Sequence, residues 1–500
     1  MRLQSLRVGV IISYITTSFS IISGLVYTPY LIKTLGLSDY AIYILVFSVI
    51  SYFSVDFGLG AFQTRNISRL IAEGKKKEIP NLLGVTTKLY LLIDVVLLLL
   101  LLPIYFFSDR IFTELTPLEL SKFKAVFVYC VFYIICCFPL LPLDGIFIAY
   151  KKYALSNIIE LTYRVLNFVL LISVLFYGFG LYSVVCVSVL VNIFFRLVRL
   201  SYVISKLKLR INLLYFDKSL LKTIWDFSSW ATIGVIADKF FFAIIPMLMS
   251  AFTTTREVAF FAIVISIEGY VLSISRAMNN AFIPQIMSLI VTDAPSEAYH
   301  NLLVKVGRIN LYVVGFIITG LFSFGFEFLK FWLGEGFSTS YYAMVIVLLP
   351  CLFHLTQNIA EELIIAHNKM KFRAIVNIVG SVLSVLFIVI LSPVYGAIGV
   401  AISVAISFIL AHNVLADIFY KRLFNINILS YFQNCHFRIL PIYILMFLLA
   451  VLINNIVSSQ NIAVFLLKVV VWSLLTSLLL WKYSFNTDEK NYVEKIIKMK

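Results

Sequence analysis

Residues 82–107 read LLGVTTKLYLLIDVVLLLLLLPIYFF, a run long enough to cross a bilayer and interrupted by only two ionisable side chains, Lys88 and Asp94. A transmembrane helix needs about 20 mostly apolar residues, and inside hydrocarbon only helices and closed barrels pair all of their backbone groups internally. Read by that rule, fourteen segments qualify, at 8–32, 40–62, 82–107, 125–149, 155–177, 181–203, 226–250, 258–282, 309–333, 342–366, 374–392, 395–416, 439–457 and 463–482. Their boundaries are least defined around 283–308 and 417–438. With 61% hydrophobic and 13% charged residues the chain cannot clothe a soluble domain in hydrated surface. The runs are helix-length rather than short and alternating, which argues against an outer-membrane barrel. The expected class is an all-α polytopic membrane protein with 14 transmembrane helices. The first segment is too long for a signal-peptide core and has no small-residue cleavage site after it, so it is expected to stay as the first span.

The formal net charge of +15 suggests nucleic acid at first sight. Membrane topology explains it instead. With a cytoplasmic N-terminus, the connections RNISRLIAEGKKKEIPN, AYKKYA, RLVRLSYVISKLKLR and HNKMKFR all face the cytoplasm. About 29 of the 40 Lys and Arg then lie inside and about 5 outside, as the positive-inside rule requires. Both termini are expected in the cytoplasm, and no nucleic-acid partner is expected. The outer connections YGFG, SPVYG and SSQNI leave no room for a folded catalytic domain. Of the six cysteines, Cys130, Cys136, Cys137, Cys186 and Cys351 fall in apolar runs and Cys435 in a polar loop, without metal-like spacing, and read as core fillers.

The chain repeats. Pro29 matches Pro246, IAYKK at 148–152 matches IAHNK at 365–369, and Tyr177-Gly178 matches Tyr395-Gly396, at offsets of 217, 217 and 218. Three matches in order at nearly constant spacing indicate two copies of a six-helix unit. An even number of spans gives both copies the same orientation, related by an axis along the membrane normal. The expected division is an N-terminal six-helix lobe, 1–217, a C-terminal six-helix lobe, 218–435, and two further helices with a tail, 436–500. Pro29 and Pro246 each remove a backbone hydrogen bond inside a span and favour a bend, either a static kink or a moving hinge.

Ionisable groups inside transmembrane segments are costly and by default functional candidates. Asp56 lies in the second segment, Lys88 and Asp94 in the third, Glu160 and Arg164 in the fifth, Asp238 and Lys239 in the seventh, Glu268 and Arg276 in the eighth, and Glu361 and Glu362 in the tenth. Asn157, Glu160, Arg164 and Asn167 recur at spacings of three and four, so they line one helix face. Glu268, Ser275, Arg276 and Asn279 form a second stripe, and His354, Gln357, Asn358, Glu361 and Glu362 a third. Asp238 and Lys239 are neighbours, point about 100° apart on a helix and cannot share one partner. They read either as parts of a hydrated cavity or as interhelical ion pairs that only hold the bundle together.

No Walker-type loop, HExxH, GxSxG or cytoplasmic DxD is present. The cations Arg164, Lys239 and Arg276, drawn from both halves, suggest a cavity for an anion such as phosphate, which guanidinium groups bind well. Lys88, Asn157 and Asn279 are expected to add substrate contacts there. Asp238, Glu268, Glu160 and Asp56 are expected to set the charge of the cations or to carry a coupling ion.

The stretch LVYTPYLIKTLGLSDYAIYILVFSVISYFSVDFGLGAFQTRNISRLIA, 25–72, resembles the opening of the polysaccharide-biosynthesis flippases, the O-antigen or repeat-unit translocases of the superfamily that includes MATE exporters and lipid II flippases. TPYLIKTLG, then DFGLG and Arg65 five residues on, are its most specific part, and the layout of two six-helix lobes plus two helices extends the resemblance over the whole chain. The resemblance implies a MATE-like V-shaped bundle with a cationic central cavity. It implies as substrate a short oligosaccharide on undecaprenyl diphosphate, moved by alternating access from the cytoplasmic to the outer leaflet of a bacterial inner membrane for surface-polysaccharide synthesis. A polymerase and glycosyltransferases would act beside it, without a cofactor. Coupling to a proton or sodium gradient is usual in relatives.

Two rival readings stand beside this one. A drug or metabolite exporter would share the fold, although several cavity cations disfavour cationic drugs. A membrane polymerase or glycosyltransferase acting on lipid-linked sugar would need a sizeable outer loop, which the short connections do not offer.

Overall fold

A computed structural model describes residues 2–53, 56–224, 232, 236, 244–280, 282–367, 369–457, 459, 461–487 and 489–491. The chain forms helix after helix: α1 (Arg2–Phe53), α2 (Leu59–Ala72), α3 (Ile79–Phe106), α4 (Pro117–Cys137), α5 (Leu143–Ala149), α6 (Tyr153–Phe176), α7 (Leu181–Ser205), α8 (Ile244–Phe252), α9 (Thr255–Asn280), α10 (Ile283–Val291), α11 (Ser296–Asn310), α12 (Phe316–Leu333), α13 (Ser338–Ala366), α14 (Met370–Ser407), α15 (Ala416–Phe424), α16 (Ile428–Cys435), α17 (Leu440–Ile456) and α18 (Ile462–Leu479). Among the described residues, ten helical stretches are long and apolar enough to cross a membrane, or eleven if α16 and α17, bent by 47°, make one span. The polytopic all-helical class expected from the sequence is therefore present. The expected span 226–250 lies largely outside the described residues, and some expected spans are joined into one helix.

Two joins have a common cause. The first two expected spans run together in α1, whose one non-helical residue is Gly36 (φ 82°, ψ 166°), while Pro29 sits inside the helix without breaking it. The spans expected at 374–392 and 395–416 likewise meet in α14 at Gly396 (φ 54°, ψ −134°), three residues past Pro393. A chain that must turn sharply within one or two residues uses a residue that tolerates left-handed φ, and glycine has no Cβ to oppose it.

The chain divides into two compact units, Met1–Ala262 with Ile388–Gly396, and Ile263–Phe387 with Ala397–Lys500. In the first, α1 packs along α4 and α6, and α7 packs on both of those. Its core holds Phe62, Tyr90, Phe123, Phe127 and Phe147, all essentially without exposure. The start of α4 is fixed by a capping box, in which Thr116 accepts from the Glu119 N–H while Glu119 accepts from the Thr116 N–H, with Pro117 as the first helical residue.

In the second unit α13 packs against α11 and α12, and α17 and α18 close against α12. Trp472 is the anchor: its ring meets Phe316 and Phe324, and its indole N–H donates to the Met446 carbonyl at 3.0 Å. The same unit contains π-helical stretches at Leu311–Gly315, Phe408–Leu415 and Leu480–Ser484. A buried arginine ties its end together. Arg308 donates to both Glu489 oxygens (2.6 and 2.9 Å), to the Asn434 and Ser484 carbonyls (2.9 and 2.7 Å) and to the Tyr312 hydroxyl (2.5 Å). Lys468 on α18 is satisfied in the same manner, by Glu327 and Asn454 at 2.9 Å each and the Val457 carbonyl at 2.8 Å.

The backbone is alike at the two words matched in the sequence, in a pattern that also ends α2 at Glu73 and Lys75. At IAYKK, Tyr150 N–H donates to Ile146 and Lys152 N–H to Phe147, at 3.0 and 2.8 Å; at IAHNK, His367 donates to Leu363 and Lys369 to Ile364, at 3.0 and 2.9 Å. Lys152 and Lys369 then precede the next helix with nearly the same dihedrals, φ −95°, ψ 39° and φ −97°, ψ 35°. Gly178 and Gly396, also paired by the repeat, both take positive φ, 77° and 54°.

Candidate functional site

Within the first unit the fifth expected segment, α6, carries its polar stripe as the spacing predicts. Glu160 and Arg164, one turn apart, form an ion pair at 3.0 Å, and Arg164 also donates to the Ser20 hydroxyl on α1 at 2.7 Å. The pair is one end of a longer chain of charge. The other Glu160 oxygen takes Arg199 at 3.1 Å; Arg199 pairs in turn with Asp144, whose second oxygen takes Arg196 at 2.8 Å. Three guanidinium groups against two carboxylates leave one positive charge in excess. Exposure is uneven along the network: Arg199, in the middle, is 9% exposed, Asp144 40%, and the end members Arg196 and Arg164 18% and 42%. Arg199 is held between two carboxylates, while the Arg164 end presents a guanidinium to whatever lies beside it. Asn157 sits half-buried one turn before Glu160 on the same helix.

The remaining first-unit candidates do other things. Asp56 begins the DFGLG turn. Its carboxylate accepts from the Gly60 N–H at 2.9 Å and from the Tyr90 hydroxyl, while its carbonyl accepts from Leu59 N–H at 3.0 Å, so it satisfies free N–H groups in the first turn of α2. A Cβ on Gly60 would stand 2.7 Å from that carboxylate, which gives the second glycine of the motif its physical reason. Lys88 donates to the Tyr215 carbonyl at 2.7 Å and lies 5.5 Å over the Phe216 ring, fastening the connection after α7 to α3. Asp94 is buried with one oxygen lacking a hydrogen-bond partner. Asp238 and Lys239 lie outside the described residues.

In the second unit, Arg276 is exposed near the end of α9, and its charge acts on Glu268, His354 and Glu362. Glu268 is buried, with Oε1 unpartnered. Asn279 is sealed in an amide network: it accepts from Asn310 at 2.7 Å, and Asn310 accepts from Ser275 at 3.1 Å. The structure thus brings Asn157, Glu160 and Arg164 together on α6, and Glu268, Arg276 and Asn279 on α9, while Asp56 and Lys88 make turn and loop contacts.

Asp144, Arg196 and Arg199 escaped the sequence reading. Asp144 lies inside the expected segment 125–149, and Arg196 and Arg199 stand in the cytoplasmic run RLVRLSYVISKLKLR. Their spacing of three places them on one helix face, and that was the available signal.

Comparisons with known proteins follow the fold. No protein-family model matches the sequence. The uncharacterized membrane protein EpsK of Bacillus subtilis (strain 168) is 24% identical over 420 residues, 79% of this chain and 79% of its own. Lipid II flippase MurJ in an inward closed conformation matches with a TM-score of 0.71 at 15% identity, over 94% of this chain and 98% of its own. An inward-facing multidrug resistance transporter of the MATE family, MOP superfamily, matches with a TM-score of 0.66 at 16% identity, over 81% of this chain and 94% of its own. This chain is a multi-pass membrane protein with the helical fold of MurJ and the MATE-family transporters.

Proposed function

We propose that the protein is a flippase for a lipid-linked oligosaccharide. It would carry a repeat unit on undecaprenyl diphosphate from the cytoplasmic to the outer leaflet of a bacterial inner membrane, for surface-polysaccharide synthesis, with both termini in the cytoplasm. The observation that carries this reading is Arg164, a half-exposed guanidinium on an apolar helix, backed by a network with one excess positive charge. A diphosphate and several sugars cross hydrocarbon only along a hydrated path that offsets their desolvation, and guanidinium groups pair well with phosphate oxygens. The fold likeness to a lipid II flippase supports the same reading. Arg164 contacts the diphosphate, Asn157 contacts sugar, and Glu160 keeps Arg164 extended; Arg276, Lys239 and Asp238 belong to the same proposal. Movement is by alternating access coupled to a proton or sodium gradient, with a polymerase and glycosyltransferases as functional partners.

The test is the leaflet location of lipid-linked repeat units in cells lacking the gene, scored with an impermeant sugar-modifying reagent. Accumulation on the cytoplasmic side, corrected by the wild-type gene and not by Arg164→Ala or Arg276→Ala, supports flippase and site together. Normal outer display without the gene overturns the reading. The MATE-family likeness then makes export of a small molecule the next reading to examine.

A further inference from the structure

We infer that the second unit contains a binding site for a divalent transition-metal ion of the zinc type, formed by His354, Glu361 and His412. The site is separate from the Arg164 network and does not depend on what the chain transports.

His354 and Glu361 lie seven residues apart on α13, two turns along one face, and His412 comes from the π-helical stretch Phe408–Leu415 that packs beside α13. One donor atom from each lies within 4.8 Å of the other two. His354 Nε2 and Glu361 Oε1 are 3.8 Å apart, too far for a hydrogen bond. That spacing suits two ligands of one ion: donors at about 2.1 Å from a tetrahedral zinc stand roughly 3.4 Å from each other. The widest pair needs to close by about an ångström more than that, within reach of side-chain torsions about a metal of these bond lengths.

The chemistry of the donor set agrees. Two imidazoles and one carboxylate suit zinc and its neighbours rather than magnesium or calcium, which take oxygen. Both histidines are more than nine-tenths buried, at 7% and 4% exposure. The rings are pre-set: they meet at 73° with centroids 5.1 Å apart, and Phe408 stacks on His412 at 4.7 Å. Glu361 turns its other oxygen toward Arg373, 3.7 Å away, the kind of contact that orients a ligating carboxylate. A π-helical turn is also a frequent companion of functional sites. A bound ion would tie α13 to the 408–415 stretch.

The test uses the full chain in detergent, stripped with chelator and dialysed against zinc sulfate. Wild type is expected to retain one zinc per chain by elemental analysis and to melt a few degrees higher than the stripped protein. Cobalt in place of zinc is expected to give the visible bands of a four-coordinate nitrogen–oxygen site. His412→Phe and Glu361→Gln, each checked for an unchanged size-exclusion profile, are expected to lose the metal, the melting shift and the bands. A triple variant His300→Gln, His367→Gln, His436→Gln, which removes the other histidines of the chain, is expected to keep all three. The proposal falls if wild type takes up neither zinc nor cobalt, or if both cluster variants bind as wild type does.

Discussion

Two arginine-centred networks, one in each compact unit, use the same chemistry to opposite ends. Arg308 is 3% exposed, and its nitrogens are spent on Glu489, Tyr312 and two carbonyls. Arg164 has one carboxylate and one hydroxyl, and 42% of its side chain is open. A charge inside an apolar helix is therefore not by itself a sign of a site. The sealed arginine holds segments distant in sequence together, and the open one has binding capacity left over.

That contrast breaks most visibly at Arg308. Arg308→Ala leaves Glu489 buried without its cation, and breaking a buried pair from one side costs about 3–5 kcal/mol. The expected result is a large drop in melting temperature in detergent, and an unchanged melting curve would show that the pair contributes nothing. Lys468→Leu should follow closely, because Glu327 and Asn454 lose the ammonium that joins them. Adding Glu327→Leu to it should recover much of the stability, since an apolar pair of similar volume often replaces a buried ion pair without loss. Arg164→Ala is expected to shift stability by less than about 1 kcal/mol, as partly exposed pairs do, while abolishing display of lipid-linked sugar. A melting shift as large as that of Arg308→Ala would make Arg164 a structural residue.

A finer effect is the pH dependence of the same Arg308–Glu489 pair. Burial alone would raise the Glu489 carboxyl, but hydrogen bonds from Arg308 and from the Asn486 N–H outweigh it and hold the group below the usual glutamate range. A carboxyl lowered on folding contributes stability above its unfolded pKa, about 4.3, and loses that contribution as pH falls through the folded value. Glu489→Gln should therefore melt below wild type at pH 7, with the gap narrowing on acidification below pH 4. A gap independent of pH would mean that the amide's altered packing, and not the lost charge, is responsible.

The helical membrane class was legible in run length alone, because hydrocarbon admits so few backbone solutions. Turns inside the runs were less so. Hydropathy averages over Gly36, and DFGLG looks apolar, yet a new helix starts inside it at Leu59, with the Asp56 carboxylate on the Gly60 N–H. The α6 stripe was legible from spacing, since Glu160 and Arg164 are neighbours on one helix. Their connection to Arg199 and Asp144 joins three helices, and no periodicity within one segment reports it. The same limit hid His412: His354 and Glu361 stand out on α13, but their companion is supplied by a different stretch. Lys468 and Glu327 lie in different expected segments, 463–482 and 309–333, and their pairing is likewise long-range in sequence.

The turns before Lys152 and Lys369 carry a consequence for substitution. Their carbonyl partners and dihedrals coincide, and the turn at Glu73–Lys75 repeats both, with Lys75 at φ −88°, ψ 43°. The geometry thus belongs to a way of ending a helix, in which the last backbone groups must be satisfied whatever the side chains are. Exchanging 150–152 with 367–369 would therefore be an exchange of like for like.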